Sequence, residues 1–324
     1  MPADTLWQPG ASVEALRLRA QLLAKVRQFF AERNVLEVDT PVLQRPAVSD
    51  PFIDCMQVDY RHYPGDTPQP FYLQSSPEYA MKRLLCAGSG CIYQLGKVFR
   101  NGEHGKRHNP EFTMLEWYRL GFDAAQLMDE VSALVCQLTD IQVIERISYR
   151  ALIAQHTQLD IYCASNAEIA HYVRGHIEID LEENDRDGWL NVLMSHLIEP
   201  ALKGRAVFVY NYPASQAALA RLTKDEQGLE CAARFELFVD GVELANGYHE
   251  LTDASEQRRR FEADIIQRKT LGLPQRPWDT HLVDALAQGM PDCAGVALGF
   301  DRLLMLALAE REISRVIPFD FSRV

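Results

Sequence analysis

Three stretches of the chain hold side chains whose types and spacing could do chemistry. In the first, Phe99-Arg100-Asn101-Gly102 is followed by Arg107-His108-Asn109-Pro110-Glu111-Phe112. Arg100 falls where an apolar run (Tyr93, Leu95, Val98, Phe99) gives out, so a planar fork of donors would project from a rigid base. That fork grips phosphate oxygens in pairs, which a lysine ammonium does not. In the second stretch, Arg234 to Asp253, Glu236 stands alone among Phe235, Leu237, Phe238 and Val239; Glu243 and Glu250 follow. A carboxylate inside an apolar strand is costly unless it is paired or bound to a metal. Hard oxygen ligands suit Mg²⁺, which commonly takes one or two protein carboxylates plus phosphate oxygens. In the third, Ser76-Pro77-Glu78 reads as a helix start, with Pro77 at the first helical position and Glu78 where the helix dipole favours a carboxylate. The alternatives are a solvated charged hairpin, a hairpin with edge carboxylates and plain helix capping. The density of polar and aromatic residues in the first stretch, and the mid-strand place of Glu236, argue against the first two.

The elements that must position these groups are legible around them. Tyr93 to Phe99 reads as a strand, Gly102 to Pro110 as a loop and Phe112 to Tyr118 as the return strand. Arg234 to Asp253 reads as strand, turn at Asp240-Gly241, strand. Gly289 to Leu306 reads as a strand, Gly299, then a helix opened by Asp301; glycine at 299 would let backbone approach a nucleotide. Upstream, residues 1–10 form an irregular lead. Ser12 caps a helix carrying Leu16, Leu22, Leu23, Val26, Phe29 and Phe30 to about Arg33, and Asn34 stops it. Val35 to Thr40 is a short strand ended by Pro41. Residues 122–138 are helical, 145–205 form a mostly helical insertion with no assigned chemistry, and the acidic run Glu178 to Asp187 is a solvated face. A charged helix spans Ala254 to Thr270, with Arg258, Arg259 and Arg260 on a solvated or interfacial face.

Bulk properties narrow the classes. With 324 residues, 47% of them apolar, the chain can bury a large core. A net charge of −12 argues against general nucleic-acid binding, which phosphate neutralisation drives. The seven cysteines are scattered without a paired C-x-x-C pattern, which fits reduced thiols in the cytoplasm. No secretory signal pattern opens the chain, and no run of about 18 apolar residues could span a membrane. Two glycine-rich stretches are decoys. Gly90 to Val98 has one residue too many for a phosphate-binding P-loop and lacks a hydroxyl residue after Lys97; Gly88-Ser89-Gly90 lacks the third glycine of a dinucleotide fingerprint.

The stretch Leu95 to Tyr118 resembles motif 2 of the class II aminoacyl-tRNA synthetases, in its lysyl form, through Phe99-Arg100-Asn101 and the run Arg107 to Glu116. The helix–strand–Pro41 unit resembles motif 1, the dimer-forming element, and Gly295 to Arg302 resembles motif 3. The resemblance runs from about residue 12 to residue 320. It implies an α+β class II catalytic fold, a mostly antiparallel sheet flanked by helices, in one catalytic domain over residues 1–324 with the insertion at about 145–205. It also implies roles. Arg100 would hold the ATP α-phosphate and Arg302 the γ-phosphate. Asn101, Gly102, His108, Asn109, Phe112, Glu243, Leu244 and Gly299 would complete the nucleotide site, with Phe112 stacked on adenine. Glu236 and Glu243 would hold Mg²⁺. Ser76, Pro77, Glu78, Tyr118, Asn246, Glu250 and Ala297 would line the amino-acid pocket, with Glu78 on the amino group at the reacting end and Glu250 and Tyr118 on the distal ammonium. One departure stands out: the family has Glu where this chain has Gly102, so Glu103 or the Gly102 backbone would have to read adenine.

The helix near Ser12 is expected to leave no room for the anticodon-reading OB-fold domain of lysyl-tRNA synthetases. Trp7-Gln8-Pro9, Ser76-Pro77-Glu78-Tyr79, Glu243-Leu244-Ala245-Asn246-Gly247 and Gly295-Val296-Ala297-Leu298-Gly299 resemble the truncated branch of the family that modifies translation elongation factor P. That branch implies activation of (R)-β-lysine by ATP and transfer to the ε-amino group of a lysine on the factor, by a homodimer without stable nucleic-acid binding. Ala297, where true lysyl synthetases have Gly, makes the pocket shallower by a methyl, worth ~1–3 kcal/mol of discrimination. Three rivals remain: a tRNA-charging enzyme without an anticodon domain, a ligase acting on a small amine, and a non-catalytic regulatory paralogue.

Overall fold

The computed structural model describes residues 6–179, 181–182 and 185–324. Residues 1–5 of the irregular lead, and Asp180, Glu183 and Asn184 of the acidic run, lie outside them. In chain order the strands are β1 (Leu36–Glu37), β2 (Leu43–Gln44), β3 (Gln57–Tyr60), β4 (Gln69–Leu73), β5 (Ile92–Phe99), β6 (Glu111–Leu120), β7 (Glu145–Ser148), β8 (Ala206–Pro213), β9 (Leu222–Lys224), β10 (Glu230–Val239), β11 (Val242–His249) and β12 (Cys293–Gly299). The chain divides into two compact units. The first comprises Met1–Gly121, Gln137–Asp140 and Thr252–Val324; the second comprises Phe122–Cys136 and Ile141–Leu251.

In the first unit the sheet order is β1-β5-β6-β12, with β1 parallel to β5 and the other pairs antiparallel. A second, three-stranded antiparallel sheet runs β2-β4-β3. The helix Val13–Ala31 covers the main sheet. Ser12 caps it, its hydroxyl accepting from the Ala15 N–H at 3.1 Å. Its buried face is Leu22, Val26, Phe29 and Phe30, the four-then-three spacing of an amphipathic helix. Phe30 stacks on Tyr93 of β5 at 4.4 Å and meets Trp117 of β6 edge-on at 5.4 Å. Asn34 ends the helix region with φ of 54°, a left-handed conformation that Asn tolerates better than most residues. The strand that follows is shorter than its sequence suggests. It pairs only over Leu36–Glu37, with one further bond from the Val38 N–H to the Tyr93 carbonyl.

In the second unit the order is β11-β10-β8-β7, with β9 also on β10; β7 and β8 are parallel, the rest antiparallel. The β10–β11 turn is Asp240-Gly241, with φ of 52° and 71°, the two positive values a two-residue type I′ hairpin needs. A side chain at Gly241 would also strike the Glu199 carbonyl, 2.4 Å from where its Cβ would stand. Helices Tyr149–Thr157, Asn166–Arg174 and Arg186–Leu193 lie in residues 145–205 and build one core with β8 and β10. Tyr149, Ile153, Val173 and Trp189 pack there with Val207, Val209 and Phe238.

Candidate active site

Alternation along the strands decides what each face of the first unit presents. Phe112, Met114, Glu116 and Tyr118 fall on one face of β6, and their partners on β12 are Gly299 opposite Met114, Ala297 opposite Glu116 and Gly295 opposite Tyr118. The face is thus large and polar on one strand and nearly bare on the next. Glu116 sits at its centre, only 2% exposed. Its Oε1 accepts from the Tyr118 hydroxyl and its Oε2 from the Ser76 hydroxyl, both at 2.7 Å. Burial, then the nearby Glu78 carboxylate, push its pKa up to about 7, against the two hydroxyl bonds and the Lys82 ammonium, which lower it.

The helix Glu78–Cys86 delivers Glu78 to this group. Pro77 takes the cap position and the helix begins at Glu78, one residue later than the sequence suggests. The Ser76 hydroxyl accepts from the Glu78 N–H at 3.0 Å while donating to Glu116, so one hydroxyl ties helix start to strand. One turn on, the buried Lys82 ammonium donates to Glu78 Oε1 at 2.7 Å. Ser76, Glu78, Tyr118 and Ala297 are therefore gathered around Glu116, and Pro77 caps the helix that brings Glu78. Glu116 and Lys82 escaped the sequence reading. The signal for Glu116 was its place two residues before Tyr118 on the same face of a strand.

Arg100 follows β5 on the Val98 side of the sheet. Its Nε donates to the Ser75 carbonyl at 3.4 Å and Nη1 to Glu103 at 3.3 Å, and its guanidinium lies 5.3 Å from the Phe112 ring centroid. Gly102 has φ of +76°, and this backbone conformation, not crowding, accounts for glycine there. The Glu103 carboxylate is turned onto Arg100. Arg302 Nη2 lies 2.7 Å from His108 Nε2. Partial desolvation, then the Arg302 cation, hold the His108 pKa below its usual value, so the ring accepts rather than donates. Two residues expected at the nucleotide are also bonded within the protein. Asn101 is held by Asp54, through its backbone N–H at 2.8 Å and its amide at 2.6 Å. Asn109 is buried, its amide donating to the Glu111 carbonyl at 2.7 Å and accepting from the Phe321 N–H at 2.9 Å. Asp301 is an anchor: it accepts from Arg19 at 2.5 Å and from the Thr113 N–H at 2.7 Å, fixing the helix Phe300–Ala307 to β6.

In the second unit, Glu236 lies directly across from Asn246, whose amide donates to Oε1 at 3.3 Å. Arg234 donates to the same oxygen, and the Tyr212 hydroxyl donates to Oε2 at 2.6 Å. By strand alternation Glu243 would face away from Asn246. A bulge prevents this: Leu237 pairs with Ala245 and Phe238 with Glu243, so the buried Leu244 is an extra residue. The bulge turns Glu243 onto the Glu236 face. Both carboxylates line a pocket of 320 Å³, together with Asn191, Ser195 and Glu199 from the helical segment between β7 and β8. That wall includes a short π-helical stretch, Met194–Ile198, a wide turn common at functional sites. Glu250 is fully buried, and its carbonyl accepts from Arg221 at 3.0 Å.

Among the described residues, no group of three or more His, Cys, Asp or Glu is placed to hold a metal. Two carboxylates on one pocket nevertheless fit an ion that arrives with phosphate oxygens, as Mg²⁺ does. Glu236 has room for it. A carboxylate has about four acceptor directions, and Tyr212, Arg234 and Asn246 occupy three.

Comparison with known proteins agrees with this arrangement. Residues 8–323 match the tRNA synthetases class II (D, K and N). An elongation factor P–(R)-β-lysine ligase from Yersinia enterocolitica is 46% identical over 329 residues, covering 100% of both chains. Ligases of the same name from Pasteurella multocida and Edwardsiella ictaluri are 46% and 47% identical over 97% and 98% of each chain. A mostly antiparallel sheet flanked by helices, an arginine closing β5, paired carboxylates on β10 and β11, and a match over nearly the whole length together establish that this chain belongs to the class II tRNA synthetase family.

Proposed function

We propose that this chain activates (R)-β-lysine with ATP as an adenylate and transfers the acyl group to the ε-amino group of a lysine on translation elongation factor P. Full-length similarity to ligases bearing that name supports the acceptor and the substrate. The observation that carries the reading is the buried carboxylate cluster on β6 and the neighbouring helix: Glu116 between two hydroxyls, with Glu78 and Lys82 beside it. A diamino acid brings two ammonium groups, and desolvated ammonium needs carboxylate partners. Ala297, directly across from Glu116, places a methyl on the floor of that face. Moving an amino group from the α to the β carbon changes how a substrate fills such a floor.

The chemistry is in-line attack of the substrate carboxylate on the ATP α-phosphate. Positioning and charge stabilisation dominate it. Arg100 stabilises the charge growing at the α-phosphate, Phe112 supports the adenine, and Arg302 orients the pyrophosphate. Glu236 and Glu243 would hold Mg²⁺, which supplies charge neutralisation at the phosphates when bound. A neutral lysine amine on the acceptor then attacks the adenylate carbonyl directly, forming the amide as the acyl–phosphate bond breaks, AMP leaves and the amine gives up a proton. We place the protein in the cytoplasm as a homodimer built on the Val13–Ala31 element. Among the described residues, no helix is long and apolar enough to cross a membrane.

The test is the intact mass of elongation factor P after incubation with this protein, ATP and Mg²⁺, with (R)-β-lysine or L-lysine. A one-residue gain, larger with β-lysine, is expected. Arg100→Ala should reduce its rate ~10²–10³-fold, as loss of one preorganised charge-stabilising donor does. Pyrophosphate exchange into ATP without any mass gain would keep the activation step and reject the acceptor.

A further inference from the structure

We propose that Lys82 is a positioning and specificity residue: its buried ammonium aims the Glu78 carboxylate and sets the charge that the Glu78–Glu116 pair presents to a substrate amine. This rests on the reading of that face as the amino-acid pocket.

The geometry is specific. Lys82 is 1% exposed, among the most buried large side chains of the chain. Lysine is rarely buried without a partner, and here the partner is Glu78 Oε1 at 2.7 Å, one helical turn back. An ammonium on Oε1 fixes the rotamer of Glu78 and leaves Oε2 to point elsewhere. Glu78 keeps partial exposure, 16% for its side chain, so the buried cation sits behind a carboxylate that stays reachable. The same ammonium acts on Glu116. The groups facing Glu116 are Glu78 and Lys82 from the helix, Ser76 from the segment before it and Tyr118 from its own strand; uncharged Gln94 and Ala297 stand opposite on β5 and β12. A carboxylate beside Glu116 disfavours its anion, and a cation beside it favours the anion. Lys82 is the cation beside them, and it favours the ionised form of Glu116 together with the Tyr118 and Ser76 hydroxyl bonds, against burial and the Glu78 charge. Without it, the face would keep its proton to a higher pH, where an ammonium should bind.

Two substitutions separate aim from charge. Lys82→Met removes both the donor and the charge; Lys82→Gln keeps a donor without the charge. In amino-acid-dependent pyrophosphate exchange, Lys82→Met should raise KM for the diamino acid at least about tenfold, with KM for ATP changed less than about twofold. The pH at which kcat/KM for the amino acid reaches half its plateau should move up in both variants relative to wild type. Above that pH, Lys82→Gln should recover most of the KM. If neither variant shifts the pH limb, or if KM for ATP rises as much as KM for the amino acid, Lys82 only fills space and the proposal falls. Thermal melts report folding, and Lys82→Gln carries the test if Lys82→Met does not fold. Should wild type exchange with no diamino acid, the pocket reading fails by itself. NMR titration of ¹³C-glutamate protein, with Glu116→Gln assigning the signal, then still reads whether Lys82 sets the ionisation of Glu116.

Discussion

Glu116 carries two opposite pH dependences. Its carboxyl titrates at about 7 instead of the ordinary 4.5, because burial and the Glu78 charge disfavour the anion. Binding an ammonium needs the anion, so kcat/KM for the diamino acid should rise as pH climbs through about 7. Stability should move the other way. Between 4.5 and about 7 the folded chain keeps a proton that the unfolded chain gives up, so the contribution of Glu116 to stability declines across that window and is flat above it. Glu116→Gln, which cannot ionise, should flatten the slope of melting temperature against pH over that window. It should also abolish the alkaline rise in kcat/KM. An unchanged melting slope in Glu116→Gln would show that another group titrates there.

At the scale of elements, the β10–β11 hairpin is the most constrained piece. Its turn demands two positive φ values, its bulge at Leu244 turns Glu243, and Gly247 lies under the Phe235 ring directly across the ladder. A Cβ on Gly247 would stand 2.4 Å from that ring. Phe235 is fully buried and T-shaped against Phe208, so it has little freedom to yield. Gly247→Ala should therefore destabilise by ~1–3 kcal/mol, the usual cost of overpacking a core. It should appear as a lower denaturant midpoint with an unchanged slope. Because Asn246 adjoins Gly247 and Glu243 lies four residues before it on the same strand, the same change should raise the Mg²⁺ concentration needed for half-maximal exchange. A midpoint equal to wild type would mean that Phe235 repacks freely.

For the whole molecule, charge is the dominant fact. A net charge of −12 repels a polyanion at long range, and nucleic-acid affinity grows with the number of phosphates neutralised. The chain should not retain tRNA in filter binding at about 0.15 M salt, where charges are screened beyond ~8 Å. Retention at that salt, or aminoacylated tRNA as product, would favour the tRNA-charging reading. Sedimentation at equilibrium should give twice the chain mass; a monomer would remove motif 1 as a dimer element.

Much of the fold was legible because local chemistry fixes it. Ser12, Asn34, Asp240-Gly241 and Gly299 mark boundaries through caps and positive φ, which act within a few residues. Arg100 at the end of β5 and Glu236 within an apolar strand were likewise visible as types out of place. Tertiary structure decided the rest. Glu116 titrates near neutrality only because packing buries it and brings Glu78 beside it from a separate helix, with Ser76 just before that helix and Lys82 within it. Asn101 and Asn109 take partners far along the chain, Asp54 and the Phe321 backbone, that no local pattern announces. The helical segment between β7 and β8 carried no chemical signature, yet it supplies one wall of the carboxylate pocket. Sequence fixes which groups are present and how the backbone turns locally. Desolvation and the choice of partner depend on residues far along the chain, so only the packed structure determines them.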